Sequence, residues 1–133
     1  VQNNIQVDNY DITLLLPDGS KAPLPDDLVN PYRVTTSAVI QATTAGGDPT
    51  QDVGVAIGIP GEYQQALIDL GVPSVLLDIR AGGTTFGGFS QRSAPFRWPV
   101  DLCDGCLQNC TDSTALEESC LPGQDVWPYC LAL

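Results

Sequence analysis

The side chains with the greatest capacity for chemistry are five cysteines, which all lie in the last part of the chain. The first three follow a Cys-x2-Cys-x3-Cys spacing that resembles thiolate ligation of zinc or an iron–sulfur cluster, with a later cysteine completing the set. In an exported protein, disulfides of about 3 kcal/mol each are the favoured alternative. We therefore predict no metal centre, two disulfides of open connectivity and one odd thiol, which either forms an intermolecular bond or is buried. The disulfide candidates are Cys103, Cys106, Cys110, Cys120 and Cys130.

Enzymatic chemistry has little support in this composition. The chain contains no histidine, which excludes Ser-His-Asp and Cys-His catalysis and every metal site that needs imidazole. The adjacent acids Asp26-Asp27 and Glu117-Glu118 could be nominated as a carboxylate pair, but neighbouring acids on loops are usually solvated charge. We predict no enzyme, no catalytic residue and no cofactor.

Net charge restricts the class of partner. The 133 residues include 16 acidic and five basic side chains, for a formal charge of -11. Such a chain repels phosphate backbones and anionic lipids, and its basic residues are scattered. We therefore predict that it does not bind nucleic acid and that the charge serves solubility or cation binding. The predicted partners, on other grounds given below, are proteins, either a second copy or another envelope protein.

Export is the expected cellular fate. The sequence begins at Val1 and has no methionine, which we interpret as a mature product from which a leader has been removed. Its longest apolar stretches fall far short of the ~20 residues of a membrane-spanning helix. Together with the clustered cysteines, these features predict a secreted, cell-surface or periplasmic protein that is not integral to the membrane.

Hydrophobic alternation predicts six strands in the cysteine-free part of the chain. The first strand has one slip in its alternation, at Asp8-Asn9, which indicates a β-bulge. Gly87-Gly88 indicates a bulge or tight hairpin, and Pro95 with Pro99 places the last strand at a sheet edge. The predicted strands cover residues 5–16, 32–42, 53–59, 75–79, 84–92 and 96–102.

One short helix completes the predicted elements. It begins at Pro60-Gly61-Glu62 and ends at Gly71 with Pro73. We predict a mainly β protein, an Ig-like or Greek-key β-sandwich over residues 1–102. Residues 103–133 are predicted as a cysteine-rich C-terminal appendage that is stapled by disulfides and packed on the sandwich.

The residues from Phe96 to Leu107 carry a resemblance to a known group of proteins. They match an F-x-(F/W)-P-(V/I)-x-(V/L)-C-x-G-C-L block, continued by Cys120 to Asp125 and Cys130. In this the chain resembles uncharacterised lipoproteins and secreted proteins of myxobacteria and related bacteria, whose tails end in a further cysteine where this chain has Leu133. The resemblance implies an exported, surface-associated bacterial protein with a β-rich body and a cysteine-stapled tail.

These observations favour a structural or interaction protein, a subunit of a filament, envelope complex or adhesive layer. Its first strand is the candidate for strand addition to a neighbouring subunit, although an ordinary intramolecular strand is the competing interpretation. The alternative function is an extracellular module that binds carbohydrate or Ca²⁺, with Trp98, Trp127 and Tyr129 as stacking surfaces. The interaction candidates are Ile5, Val7, Tyr10, Ile12 and Leu14.

Overall fold

The described part of the chain is mainly β, as predicted, and its strands form one antiparallel sheet. A computed structural model describes residues 3–43, 46–48 and 50–102. The sheet order is β2-β1-β3, and the far edge of β3 is shared by β4 and β5. Residues 1–102 form one compact unit. The elements are β1 (Ile5–Leu15), β2 (Tyr32–Ile40), α1 (Gly61–Asp69), β3 (Ser74–Thr85), β4 (Ser90–Arg92) and β5 (Phe96–Asp101).

The predicted bulge in the first strand is confirmed. The register of β1 shifts between Val7 and Asn9 in its ladders with both β2 and β3. Because β3 alternates regularly, and Val7 lies opposite Gly83 while Tyr10 lies opposite Ala81, the extra residue returns Val7 to the face of Tyr10. The bulge therefore keeps the apolar residues of β1 on one side of the sheet.

That side of the sheet is the core. α1 lies against it and buries Tyr63, Ala66 and Leu67, and the loop before β2 contributes Ala22. The helix ends at Asp69, and Gly71 follows its C-cap with a φ of 66° that only glycine adopts readily. The predicted helix is therefore confirmed. The buried members contributed by the sheet are Ile12, Leu14, Tyr32, Val75 and Leu77.

An asparagine side chain extends the ladder between β1 and β2. The Asn30 amide nitrogen donates to the Leu14 carbonyl at 2.9 Å, and the Leu14 N–H donates to the Asn30 carbonyl oxygen at 3.0 Å. These two bonds reproduce a backbone pair just before β2 begins at Tyr32. The backbone N–H and C=O of Leu14, near the end of β1, are thereby hydrogen-bonded to a side chain on this edge.

The predicted strands 75–79 and 84–92 are not separated by a turn. β3 runs without interruption from Ser74 to Thr85 through Gly82 and Gly83, and residues 90–92 of the second predicted strand form β4. A Cβ on Gly83 would lie 2.9 Å from the Val7 Cα and closer still to the Gln6 carbonyl. The glycines thus serve close strand packing, not a reversal of the chain.

The hairpin and edge predictions are confirmed. Gly88 has a φ of 88°, and its N–H donates to the Thr85 carbonyl at 2.8 Å in the turn between β3 and β4. β5 pairs with β3 alone among the described strands, which leaves Pro99 on an edge where its missing donor is tolerated.

The finer predictions of the fold stay predictions. A β-sandwich needs a second sheet, and residues 3–43, 46–48 and 50–102 contain one sheet only. The predicted appendage of residues 103–133 and its five cysteines lie outside the described residues. No helix in the described part of the chain has the length and apolar character needed to cross a bilayer.

Candidate interaction surface

Residues 52–59 form a segment that pairs with no described strand. The sequence predicts a strand over residues 53–59 of this segment, and the chain bends at Gly58 and Ile59. The large and small residues of the segment alternate, so they face opposite ways. Gly54, Ala56 and Gly58 are partly buried, towards the sheet. The three large side chains that face solvent, which we call the outer ridge, are Val53, Val55 and Ile57, at 80%, 81% and 58% exposure.

Close packing on the sheet explains why the inward positions are small. A Cβ on Gly54 would lie 2.5 Å from the Tyr10 hydroxyl oxygen, and a Cβ on Gly58 would lie 3.2 Å from Leu77 Cδ2. Larger residues would force the segment away from the sheet. The glycine pattern therefore fixes which side of the segment is presented to solvent.

Side chains hold this segment in place where strand pairing would otherwise do so. Val39 belongs to β2, and its N–H keeps the pKa of Asp52 below the ordinary value, assisted by the N–H of Val53. Tyr32 is buried, and burial raises the pKa of its phenol, so it acts as a donor at every physiological pH. The three anchoring bonds run from Val39 N–H to Asp52 Oδ2 (2.6 Å), from Thr36 Oγ1 to the Val55 carbonyl (3.1 Å) and from the Tyr32 hydroxyl to the Gly58 carbonyl (2.5 Å).

An apolar groove runs beside this segment. Its volume is about 270 Å³, which is enough for several side chains. One wall ends at Phe96, which packs against Trp98 with ring centroids 5.9 Å apart; both rings are more than half exposed. We call this feature the apolar groove, and its lining residues are Tyr10, Ile12, Gly54, Ala56, Gly58, Ile79 and Phe96.

A second hollow, on the polar side of the bulge, is less suited to a ligand. It measures about 250 Å³ and includes Asp8, Arg33 and Arg92. Both arginines already pair with Asp11, at 2.7 Å and 2.6 Å. Since Asp8 and Asp11 offset the two cations, the hollow offers no net positive charge to an anion.

The Asp11 ion pairs predict a specific acid sensitivity. Chiefly because Arg33 donates to it, the Asp11 carboxyl has a pKa below the ordinary value of 3.8. When folding lowers the pKa of a carboxyl, the ionised carboxylate stabilises the fold at pH values above the ordinary pKa. This stabilisation is lost as the pH falls through the folded-state pKa. Asp11→Asn should lower the free energy of unfolding by about 1 kcal/mol at neutral pH, because both arginines are half exposed. The loss should be smaller at a pH below 3.8, where the carboxyl begins to be protonated in the folded state as well.

Urea unfolding at the two pH values measures this difference. Asp27→Asn is the matched control, since Asp27 is exposed in a loop and its substitution should change little at either pH. An Asp11→Asn effect of equal size at both pH values would contradict a role for the ionised carboxylate.

The predicted interaction strand lies inside the sheet. β1 pairs with β2 on one side and with β3 on the other, and Val7, Ile12 and Leu14 are buried. Of the five candidates, Tyr10 and Ile12 contribute to the apolar groove. As described, this strand is an intramolecular one, and its edges are occupied.

Other predicted features are only partly covered by the structure. Trp98 is exposed beside the groove, whereas Trp127, Tyr129 and the cysteines lie outside the described residues. No cluster of acidic or sulfur ligands that could hold a metal occurs within residues 3–43, 46–48 and 50–102. The outer ridge was not predicted as a site. Its signal in the sequence is the alternation of β-branched residues with glycine and alanine.

Comparison with known proteins gives no relative. Neither a family model, nor a curated protein, nor a solved structure matches the chain. Function is therefore argued from the groove, the outer ridge and the composition.

Proposed function

We propose that the chain is a non-enzymatic interaction protein of the cell exterior, a subunit of an extracellular or envelope assembly. The observation that carries the proposal is the outer ridge, three β-branched side chains exposed on an extended segment without a described strand partner. Extended segments with unpaired backbone groups are sites where another chain adds a strand. The binding surface is thus the ridge with its neighbouring groove.

The distribution of apolar surface supports binding to protein. Single exposed apolar residues are ordinary, but contiguous apolar surface commonly marks an interaction site. Here the ridge borders the apolar groove, whose one lining hydroxyl belongs to Tyr10. Such a surface gains most from burying other apolar side chains.

Strand addition therefore moves from β1 to residues 52–59 in this proposal. Donation of β1 would require breaking two ladders and exposing a buried core. Use of the outer ridge requires neither, because its side chains already face solvent.

Export and crosslinking complete the proposal. Cysteines clustered between Cys103 and Cys130, with no histidine in the chain, suit an oxidising compartment in which disulfides persist. The odd thiol would then be available for a covalent link within the assembly. We retain as proposals the sandwich architecture, the disulfide-stapled tail and the kinship with bacterial surface proteins.

Removal of the outer ridge should abolish assembly. We expect the wild-type chain to form oligomers at roughly 100 μM, a concentration suited to weak contacts, and to do so more strongly in high salt, which screens the charge of -11. The triple variant Val53→Ser, Val55→Ser, Ile57→Ser should remain at the monomer mass of 14.1 kDa. Light scattering after size-exclusion chromatography, with and without reductant, measures both.

The matched control removes exposed apolar side chains at another site. Phe86 and Phe89 are exposed in the turn between β3 and β4, and the double variant Phe86→Ser, Phe89→Ser should assemble as the wild type does. A wild-type chain that is monomeric in every condition would overturn the proposal. Oligomers that persist in the triple variant but vanish on reduction would assign the contact to the cysteines.

The ligand-binding alternative is favoured by one observation, the exposed Phe96–Trp98 pair beside the groove. Aromatic faces of this kind stack on sugars. The groove itself is predominantly apolar and offers few groups to bind sugar hydroxyls. A monomeric chain whose tryptophan fluorescence responds to added oligosaccharides or to Ca²⁺ would favour this alternative.

A further inference from the structure

We propose that the turn between β3 and β4 is a membrane anchor that inserts Phe86 and Phe89 into an electrically neutral lipid surface. We call residues 86–89 the aromatic tip. The inference goes beyond the proposed function, because it assigns a second binding surface that shares no residue with the outer ridge or the apolar groove. It is carried by the exposure of the two rings, by the hydrogen bonds of the turn and by the position of charged side chains.

Two phenyl rings of the aromatic tip are exposed to solvent. Phe86 is 65% and Phe89 is 68% exposed. Gly87 and Gly88 between them carry no side chain, and a Cβ on Gly87 would lie 3.6 Å from the Phe89 ring. The tip therefore offers aromatic surface and backbone, with no polar side chain of its own.

The backbone of the aromatic tip is already hydrogen-bonded within the chain. The Phe86 N–H donates to the Asn4 carbonyl at 2.9 Å. The Gly88 N–H donates to the Thr85 carbonyl at 2.8 Å, and the Phe89 N–H donates to Thr85 Oγ1 at 3.0 Å. A donor without a partner opposes transfer from water to lipid. Three of the four N–H groups of the tip therefore carry no such cost.

Charged side chains lie away from the tip along this hairpin. Residues 81–91 contain none, and Arg80 and Arg92 stand at the two ends of that stretch. Arg92 pairs with Gly82 in the ladder, which places it about 13 Å behind Phe86 along the hairpin. Insertion of the two rings therefore leaves every charge of the hairpin in water.

The charge of the remaining chain selects the kind of lipid. Gln6 of β1 lies opposite Val39 of β2 and Thr84 of β3. The Val39 N–H donates to Asp52 at 2.6 Å and keeps the pKa of this carboxyl below its ordinary value, so an anionic group lies at the same end of the sheet as the tip. Together with the net charge of -11, it repels anionic headgroups. The matching surface is therefore zwitterionic, as in phosphatidylcholine, and is bound through the hydrophobic effect.

A protein partner fits the aromatic tip less well than a lipid surface does. A stable protein interface buries about 800 Å² on each partner, whereas one aromatic side chain buries about 150–250 Å². Two rings that are each about two-thirds exposed supply less than half of the area that such an interface needs. A lipid surface needs no complementary shape, and it takes up apolar side chains in proportion to the area that they bury.

Co-flotation with phosphatidylcholine vesicles tests the anchor. Wild-type protein should float at about 5 mM lipid, a concentration that detects binding weaker than that of a single myristoyl chain. The double variant Phe86→Ser, Phe89→Ser should have a partition coefficient at least about ten-fold lower, because two apolar groups are no longer buried in lipid. Phosphatidylserine added to the vesicles should weaken the binding of wild type, and salt should restore part of it.

A tryptophan variant reports the surroundings of the tip. The double variant Phe86→Trp, Phe89→Trp should bind the vesicles at least as well as wild type, because tryptophan favours the membrane–water interface. Its fluorescence should shift to shorter wavelengths on binding by more than the fluorescence of wild type does. An emission that does not respond to vesicles would contradict insertion of the tip.

The triple variant of the outer ridge is the matched control, because it removes exposed apolar side chains at another site. At about 1 μM protein, far below the concentration suited to weak contacts between chains, it should bind vesicles as wild type does. Every variant should keep the circular dichroism of wild type. Equal binding by wild type and the double serine variant, or no binding by wild type, would overturn the anchor and leave the proposed function standing. Vesicle binding that only the double serine variant loses, from a chain that never forms oligomers, would overturn the proposed function and leave the anchor standing.

Discussion

Replacement of Leu67 by alanine is expected to lower the free energy of unfolding by about 3 to 4 kcal/mol. Leu67 is fully buried, at 0% exposure, on the inward side of α1. It belongs to the same packed cluster as Leu14 and Leu77 of the sheet. Truncation removes buried methyl groups and leaves a cavity, which the surrounding residues fill only in part. Domains of this size have total stabilities of only about 5 to 15 kcal/mol, so the loss is a large fraction.

Leu70→Ala provides the matched control for this prediction. The same atoms are removed three residues further along, where the side chain is 42% exposed, and the expected loss is below about 1 kcal/mol. Guanidinium unfolding followed by circular dichroism measures both variants. Equal losses would contradict the docking of α1 on the sheet.

A single methyl group at Gly83 is expected to destabilise the sheet by about 3 kcal/mol. The added Cβ of Gly83→Ala would meet backbone atoms of Gln6 and Val7 in β1, with the Val7 Cα at 2.9 Å. Backbone cannot rotate away as a side chain can, so β1 and β3 must separate beside the bulge. The loss of pairing should also appear as faster amide exchange in the first half of β1.

Gly61→Ala is the control for that substitution. Gly61 begins α1, and a methyl group added there would meet no neighbouring atom within 4 Å. Alanine at this position should be neutral or stabilise the protein by up to about 1 kcal/mol, because it restricts the unfolded chain. A Gly83→Ala protein as stable as the Gly61→Ala protein would show that β1 and β3 are not in close contact at this point.

Local patterns were sufficient to predict several elements of this fold. Alternation defined β1 and β2, and the slip at Asp8-Asn9 located the bulge because each extra residue reverses the facing of all that follow. Gly71 and Pro73 ended the helix correctly, and Pro99 placed β5 at an edge. Each of these features depends on residues that are neighbours in the sequence.

Other features depend on residues that are distant in the sequence. Gly82-Gly83 has the composition of a turn, but the backbone of β1 that requires the glycines lies about 75 residues earlier. Residues 53–59 have the alternation of a strand, but alternation does not specify a partner. The surface proposed here therefore lies on a different segment from the predicted interaction strand. The outer ridge is exposed because no described strand lies beside it. A local sequence pattern does not predict whether a neighbouring strand is present.

The central position of β1 also determines the order of folding events during synthesis. Its second neighbour, β3, ends at Thr85, so most of the body must be translated before the middle of the sheet can close. Pairings between such distant segments form slowly, because a large loop has to be ordered before its contacts stabilise it. We therefore expect the body of the nascent chain to stay without its central pairing until Thr85 has been translated.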